Sequence, residues 1–202
     1  MRLPIPIIFI WFIIFIVYLA FKRTKQTQNQ QNANQSFLER ERLANNTRKK
    51  DISGLNYLPF TTDRLPDSVS SDEKLNIIES ELKGLSNQKI INLSQYSNTD
   101  LKLMYGPANL PALSEYDDNY HRLAALFLDY ASRQLELCDT SAAIAALEYA
   151  AELRIQSSRI YLLLAELYLK QGTPEKINTI RDTVSSMEEP FRRLVLPKLD
   201  QS

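Results

Sequence analysis

The chain has 202 residues, 44% hydrophobic and 24% charged, which suits one modest globular domain with additional segments. Its 24 Lys and Arg balance 24 Asp and Glu, so overall charge points to no class of partner, and a single cysteine, Cys138, excludes an intramolecular disulfide. Four scattered glycines (Gly54, Gly84, Gly106, Gly172) exclude a glycine-rich phosphate cradle.

Residues 3–21, "LPIPIIFIWFIIFIVYLAF", carry no charge. As a helix they span about 28 Å, close to the thickness of a hydrocarbon core, and predict a transmembrane anchor. Pro4 and Pro6 fall near its start, where missing donors cost least, and Tyr18 falls near its far end, where an amphipathic ring favours an interface. The run is longer than a signal-peptide core and "YLAFKR" offers no small-x-small cleavage site. From Lys22 to Lys50 eight basic residues stand against Glu39 and Glu41, a net of +6. That asymmetry predicts a single-pass protein of the cell membrane, N-terminus outside and C-terminal domain cytoplasmic, with the basic flank near anionic headgroups. Phe37 is the one aromatic among these basic residues, and beside an expected membrane span no nucleic-acid partner is expected.

Residues 22–50 read as a basic, Gln/Asn-rich juxtamembrane linker; "QTQNQQNANQ" (26–35) has no apolar face to bury and predicts a solvated tether. Asn34-Gln35-Ser36 and Asn45-Asn46-Thr47 match the glycosylation acceptor pattern, which has no meaning on the cytoplasmic side.

Residues 51–116 read as an irregular segment with short helices packed on the domain. "DISGLNYLPFTTDRLP" (51–66) mixes Pro, Gly and apolar residues. Ser70 and Glu73 then have capping-box spacing, and Leu75, Ile78, Leu82 and Leu85 share a helical face. A short helix follows from Asn98 or Thr99, with Leu101, Met104 and Tyr105 on one side, stopped by Gly106-Pro107.

Four helices and a terminal cap are predicted over 117–202. The first, capped by Ser114 or Asp117, runs to about Leu137; Asp117-Asp118 read as acids favoured at a helix start. Asp139 or Thr140 caps the second, and Ser157 or Ser158 the third. "GTPEK" separates the third from the fourth: Gly172 closes one, Thr173 caps the next and Pro174 enters its first turn. "EEPFRRLVLPKL" starts the last helix with Pro190 in its first turn, Phe191, Leu194 and Val195 inward, and Arg192 and Arg193 outward.

Residues 34 apart align: Phe127 with Tyr161, Tyr130 with Leu164, Ala131 with Ala165, and Ala143, Leu147 and Ala150 with Ile177, Arg181 and Val184. A helix-turn-helix unit of this period resembles the tetratricopeptide repeat (TPR). "YLLLAELYLKQG" is similar to the first helix of such a repeat, with Tyr161, Leu164, Ala165, Tyr168 and Gly172 as its packing residues. A small residue at Ala165 allows close helix approach, and rings at Tyr161 and Tyr168 fill the space on either side. The upstream copy keeps Phe127 and Ala131 but has Gln134 and Cys138 where the family favours an aromatic and a glycine; Ile177 and Arg181 depart downstream. The likeness covers about residues 119–189. The expected fold class is all-α: a short TPR-like helical-hairpin solenoid with an N-terminal transmembrane helix and a partly irregular middle segment. Two repeats leave the upstream face of the first helix to be covered by the middle segment, a second copy (a homo-oligomer) or another protein.

The resemblance implies a protein partner held in a groove lined by Ala125, Leu128, Asp129, Ser132 and Leu135 on one helix and Arg159, Leu162, Glu166 and Leu169 on the next. The family's carboxylate clamp needs several basic and amide groups there, and only Arg159 qualifies; the leucines suit an apolar or amphipathic segment. The middle segment of the chain itself is the competing occupant. His121 is the only histidine, Cys138 has no ligand-spaced companions, and no hydrolase, zinc or P-loop pattern occurs, so no catalytic, metal or cofactor site is expected. The expected function is a membrane-anchored adaptor or scaffold; an extracytoplasmic envelope-assembly factor and a structural oligomer are the alternatives, and an enzyme is not expected.

Overall fold

The computed structural model describes residues 5–66 and 72–200. Its described residues are helical, with no strand among them, and the chain divides into two compact units.

The first unit comprises Met1–Ile52 and Tyr96–Leu110. Helix α1 (Ile5–Asn45) runs for 41 residues. The residues 26–35 expected as a solvated tether are therefore helical: no Gly or Pro occurs from residue 7 to 45, and the Gln and Ala of the run are adequate helix formers that carry its Asn and Thr. The membrane anchor needs a larger correction. Among the described residues no helix is long and apolar enough to cross a membrane, and Leu3 and Pro4 of the expected span lie outside them. In α1 the apolar stretch runs without a break into Lys22, Arg23, Lys25 and the polar run. The transmembrane helix, and with it the single-pass cell-membrane placement, is not retained.

The end of α1 packs on α3 (Asn98–Tyr105), which Ser97 and Asp100 start with a complete capping box. Thr99 Oγ1 donates to Glu41 at 2.7 Å, Lys102 pairs with the same carboxylate, and Arg40 pairs with Asp100. The Lys102 and Thr99 hydrogen bonds hold the Glu41 carboxyl below the usual range. Gly106 (φ 87°) ends α3 where a Cβ would meet the Arg48 carbonyl oxygen at 2.6 Å, so only glycine fits. Asn109, in the 3-10 turn Pro107–Asn109, donates to the carbonyls of Lys50 and Tyr105, each at 2.7 Å.

The second unit comprises Ser53–Gln95 and Pro111–Ser202. Helix α2 (Glu73–Leu85) is capped by Asp72, which accepts from the Leu75 N–H at 2.8 Å; Ser70 of the expected capping box lies outside the described residues. Leu75, Leu82 and Leu85 are buried and Ile78 half-buried. Helix α4 (Leu110–Glu136) starts seven residues before the expected Asp117, because Pro111 in its first turn needs no donor. Asp117 is no cap: its Oδ1 accepts from the Leu93 N–H at 2.7 Å.

The middle segment is tied to the helices by specific groups. Phe60 is buried edge to face on Phe127 (5.9 Å) and stacked on Tyr149 (6.1 Å). The Tyr149 hydroxyl accepts from the Thr61 N–H and donates to the Thr61 carbonyl. Tyr130 donates to the Pro66 carbonyl, and Arg133 grips Asp72 through Nε at 2.9 Å and a second, shorter contact. A flank of α4 is thus covered by the chain's own middle segment, bringing Leu75, Leu82, Leu85 and Ile90 into one core with α4.

Helices α5 (Thr140–Glu152), α6 (Ser158–Gln171), α7 (Lys176–Ser185) and α8 (Phe191–Leu199) complete the unit, and α6 packs on α5, α7 and α8. Asp139 caps α5 by accepting from Ala142 N–H. Ser157 stands at the α6 N-cap without a side-chain bond. Thr173 turns back onto the Tyr168 carbonyl instead of capping α7, which starts at Lys176. In α8 the inward residues are Phe191, Val195 and Leu199; Leu194, expected inward, is 54% exposed.

The ends of α4 and α6 are built alike at a spacing of 34. Cys138 (φ 62°) and Gly172 (φ 76°) are both left-handed. Their N–H groups donate to Leu135 and Leu169, and the following Asp139 and Thr173 donate to Gln134 and Tyr168. Both ends are Schellman motifs with every member displaced by 34.

Candidate functional site

Of the residues expected to pack the repeat, Phe127, Ala131, Tyr161 and Ala165 have no exposed surface, Leu164 has 1% and Tyr168 has 4%, whereas Gly172 is exposed at the end of α6. The Tyr161 ring meets Phe191 edge to face at 5.7 Å. Tyr168 donates to Glu148 at 2.6 Å, with Lys176 over its ring. Burial first, then Glu148, raises the Tyr168 phenol. Gln134, which stands where the downstream copy has Tyr168, is buried and donates to the Tyr130 hydroxyl at 2.9 Å.

The expected groove residues sit at the surface of α4 and α6. Leu128, Leu135 and Leu162 are half-buried against the core; Ser132, Arg159, Glu166 and Leu169 are exposed, and Glu166 pairs with Lys170 one turn on. The groups that tie the middle segment down, Phe127, Tyr130, Arg133 and Tyr149, include none of these seven.

A cleft of about 770 Å³ opens elsewhere in the same unit. One wall is the loop Asn92, Ser94 and Gln95, joined by Asn56. Helix α4 fixes this loop: Asp117 accepts from Leu93 N–H, His121 Nε2 lies 3.3 Å from Ser94 Oγ, and Asn92 hydrogen-bonds the buried Tyr120 hydroxyl. Tyr120 also accepts from the Gln156 N–H at 2.6 Å, joining the loop to the α5–α6 turn. Burial raises the Tyr120 phenol against those two hydrogen bonds. The opposite wall is the α7–α8 turn and the start of α8, including Glu188, Phe191, Arg193 and Leu194.

Arg154 and Gln156 occupy the turn between these walls. Arg154 is left-handed (φ 56°) in the position after α5 that glycine usually takes; its N–H donates to Ala151 and the next N–H to Ala150. Beside it the Tyr161 hydroxyl is buried without a hydrogen-bond partner among the described residues, and desolvation raises its phenol. Sequence reasoning missed this cleft because its residues come from four separated stretches with no shared motif. The one local signal was "AAELRIQ", a helix that stops without glycine or proline.

A smaller cleft of about 290 Å³ beside α5 and α7 contains Glu148, whose carboxylate is already held by Tyr168 and Lys176. Among the described residues no three His, Cys, Asp or Glu side chains are grouped to hold a metal. Neither a family model, a curated protein nor a solved structure matches this chain.

Proposed function

We propose that the second unit is a TPR-like module and that the protein serves as a protein–protein interaction adaptor or scaffold. The observation that carries this reading is the paired ends of α4 and α6, where Cys138 and Gly172 repeat both backbone conformation and hydrogen bonds at a spacing of 34. Matching burial supports it: Phe127 with Tyr161, Ala131 with Ala165, and Ala150 with Val184. Stacked hairpins of this period bury their cores between neighbours and leave one face of each first helix for a ligand.

Leu128, Leu162 and Leu169 are the apolar part of that face, flanked by Ser132, Arg159 and Glu166, and favour an apolar or amphipathic segment of a partner. A photoreactive phenylalanine derivative at Leu169 of the full chain tests the reading. A crosslink to one defined partner, lost on Leu162→Glu, is expected. Crosslinks only within the chain or between its copies would replace the adaptor reading with a self-occupied groove or a structural oligomer.

A further inference from the structure

Arg154 joins a left-handed backbone to a long cationic side chain on the wall of a cleft. A left-handed backbone disfavours every residue with a Cβ, and glycine is the common solution after a helix. Yet this position carries the longest cationic side chain, with no ion pair to it among the described residues, on the lining of the 770 Å³ cleft and bordering the smaller cleft that contains Glu148 and Glu152. Strained non-glycine positions concentrate where a side chain meets a ligand. Arg193, also without an ion pair, lines the same cleft from α8.

The rest of the lining narrows the ligand. Asn56, Gln95 and Gln156 each bring a carboxamide, a group that both donates and accepts and so matches the alternating N–H and C=O of an extended backbone. Glu188 and Glu189 lie on the α7–α8 side, and Glu189 is held by Arg192. These carboxylates oppose a polyanion and leave room for one negative group. Phe191 and Leu194 supply an apolar strip beside Arg193, and Leu194 is more than half exposed there.

We propose that this cleft binds an extended peptide segment of a partner protein, one acidic side chain meeting Arg154 and Arg193 and an adjacent apolar side chain resting on Phe191 and Leu194. The site does not depend on the α4–α6 groove, because none of the seven groove residues lines it. Titrating the full chain, with arginine side chains ¹⁵N-labelled, against acetyl-Ala-Glu-Leu-Ala-amide tests the proposal. The expected result is saturable movement of the Arg154 and Arg193 Nε–H signals, weakened by salt and absent with the Gln and Lys analogues of the peptide. Arg154→Gly and Arg193→Gln should each weaken binding about tenfold, the size of a lost charge-assisted hydrogen bond. Arg154→Gly should do so with an unchanged or raised Tm, which separates lost binding from lost folding. Equal binding of the Gln analogue, unchanged affinity of Arg154→Gly, no binding, or shifts confined to the Leu128 and Leu162 methyls would each overturn the proposal.

Discussion

Cys138 and Gly172, 34 residues apart, occupy the same left-handed position at the ends of α4 and α6 and make equivalent hydrogen bonds, although only one of them is a glycine. The geometry belongs to the repeat, and the residue at Cys138 tolerates it. Cys138 is exposed, so Cys138→Gly removes backbone strain with no packing lost. The expected gain is about 0.5–1 kcal/mol, while Gly172→Ala costs about 1 kcal/mol; urea midpoints at constant m measure both.

Ala165 is fully buried in the core around α6. With Tyr161 and Tyr168 also buried, one turn to either side, a larger side chain there has to displace core neighbours. Ala165→Leu should cost about 2–3 kcal/mol, and Ala131→Leu a similar amount, in thermal or urea unfolding. A neutral result at Ala165 would mean that the hairpins are not in close contact there.

Tyr161 offers the opposite outcome. Its hydroxyl is buried without a partner among the described residues and its ring packs on Phe191. Tyr161→Phe keeps the ring and removes the desolvated group, so stability should stay constant or rise by up to about 1 kcal/mol. Tyr149→Phe, which removes a hydroxyl bonded twice to Thr61, should instead cost about 1–2 kcal/mol.

Asp72 links stability to pH. The Arg133 hydrogen bonds, then the Leu75 N–H, lower its pKa from 3.8 to about 2. A folded-state pKa below the unfolded value gives stability that is complete above about pH 4 and lost as pH falls towards 2. Asp72→Asn keeps a competent N-cap but removes the charge. The difference in unfolding free energy between wild type and Asp72→Asn should therefore be flat above pH 4 and shrink through pH 3.

What could be read in advance followed how local each signal is. Asp139 as a cap and Gly172 as a stop are fixed by neighbours within one turn, and the aromatic and small positions of α6 follow helical spacing. The 26–35 run has no apolar face to bury, yet it is helical, because a helix without Gly or Pro can continue through Gln and Asn. The start of α4 lies at Leu110 rather than near Asp117 because Pro111 fits a first turn, whereas Ser114 and Asp117 have the chemistry of caps without serving there as the start. The cleft was illegible: Asn92, Arg154 and Arg193 meet only through tertiary packing, and a left-handed arginine has no signature in the sequence.

Native-state hydrogen exchange on the full chain tests most directly whether the middle segment and the hairpins form one cooperative core. Amides around Phe127, Tyr130, Leu164 and Ala165 should share the slowest exchange, and Phe60→Ala should lower protection in α4 and α6 together, by about 3 kcal/mol. Fast exchange throughout α4 beside a protected α6, or a Phe60→Ala effect confined to the middle segment, would contradict it.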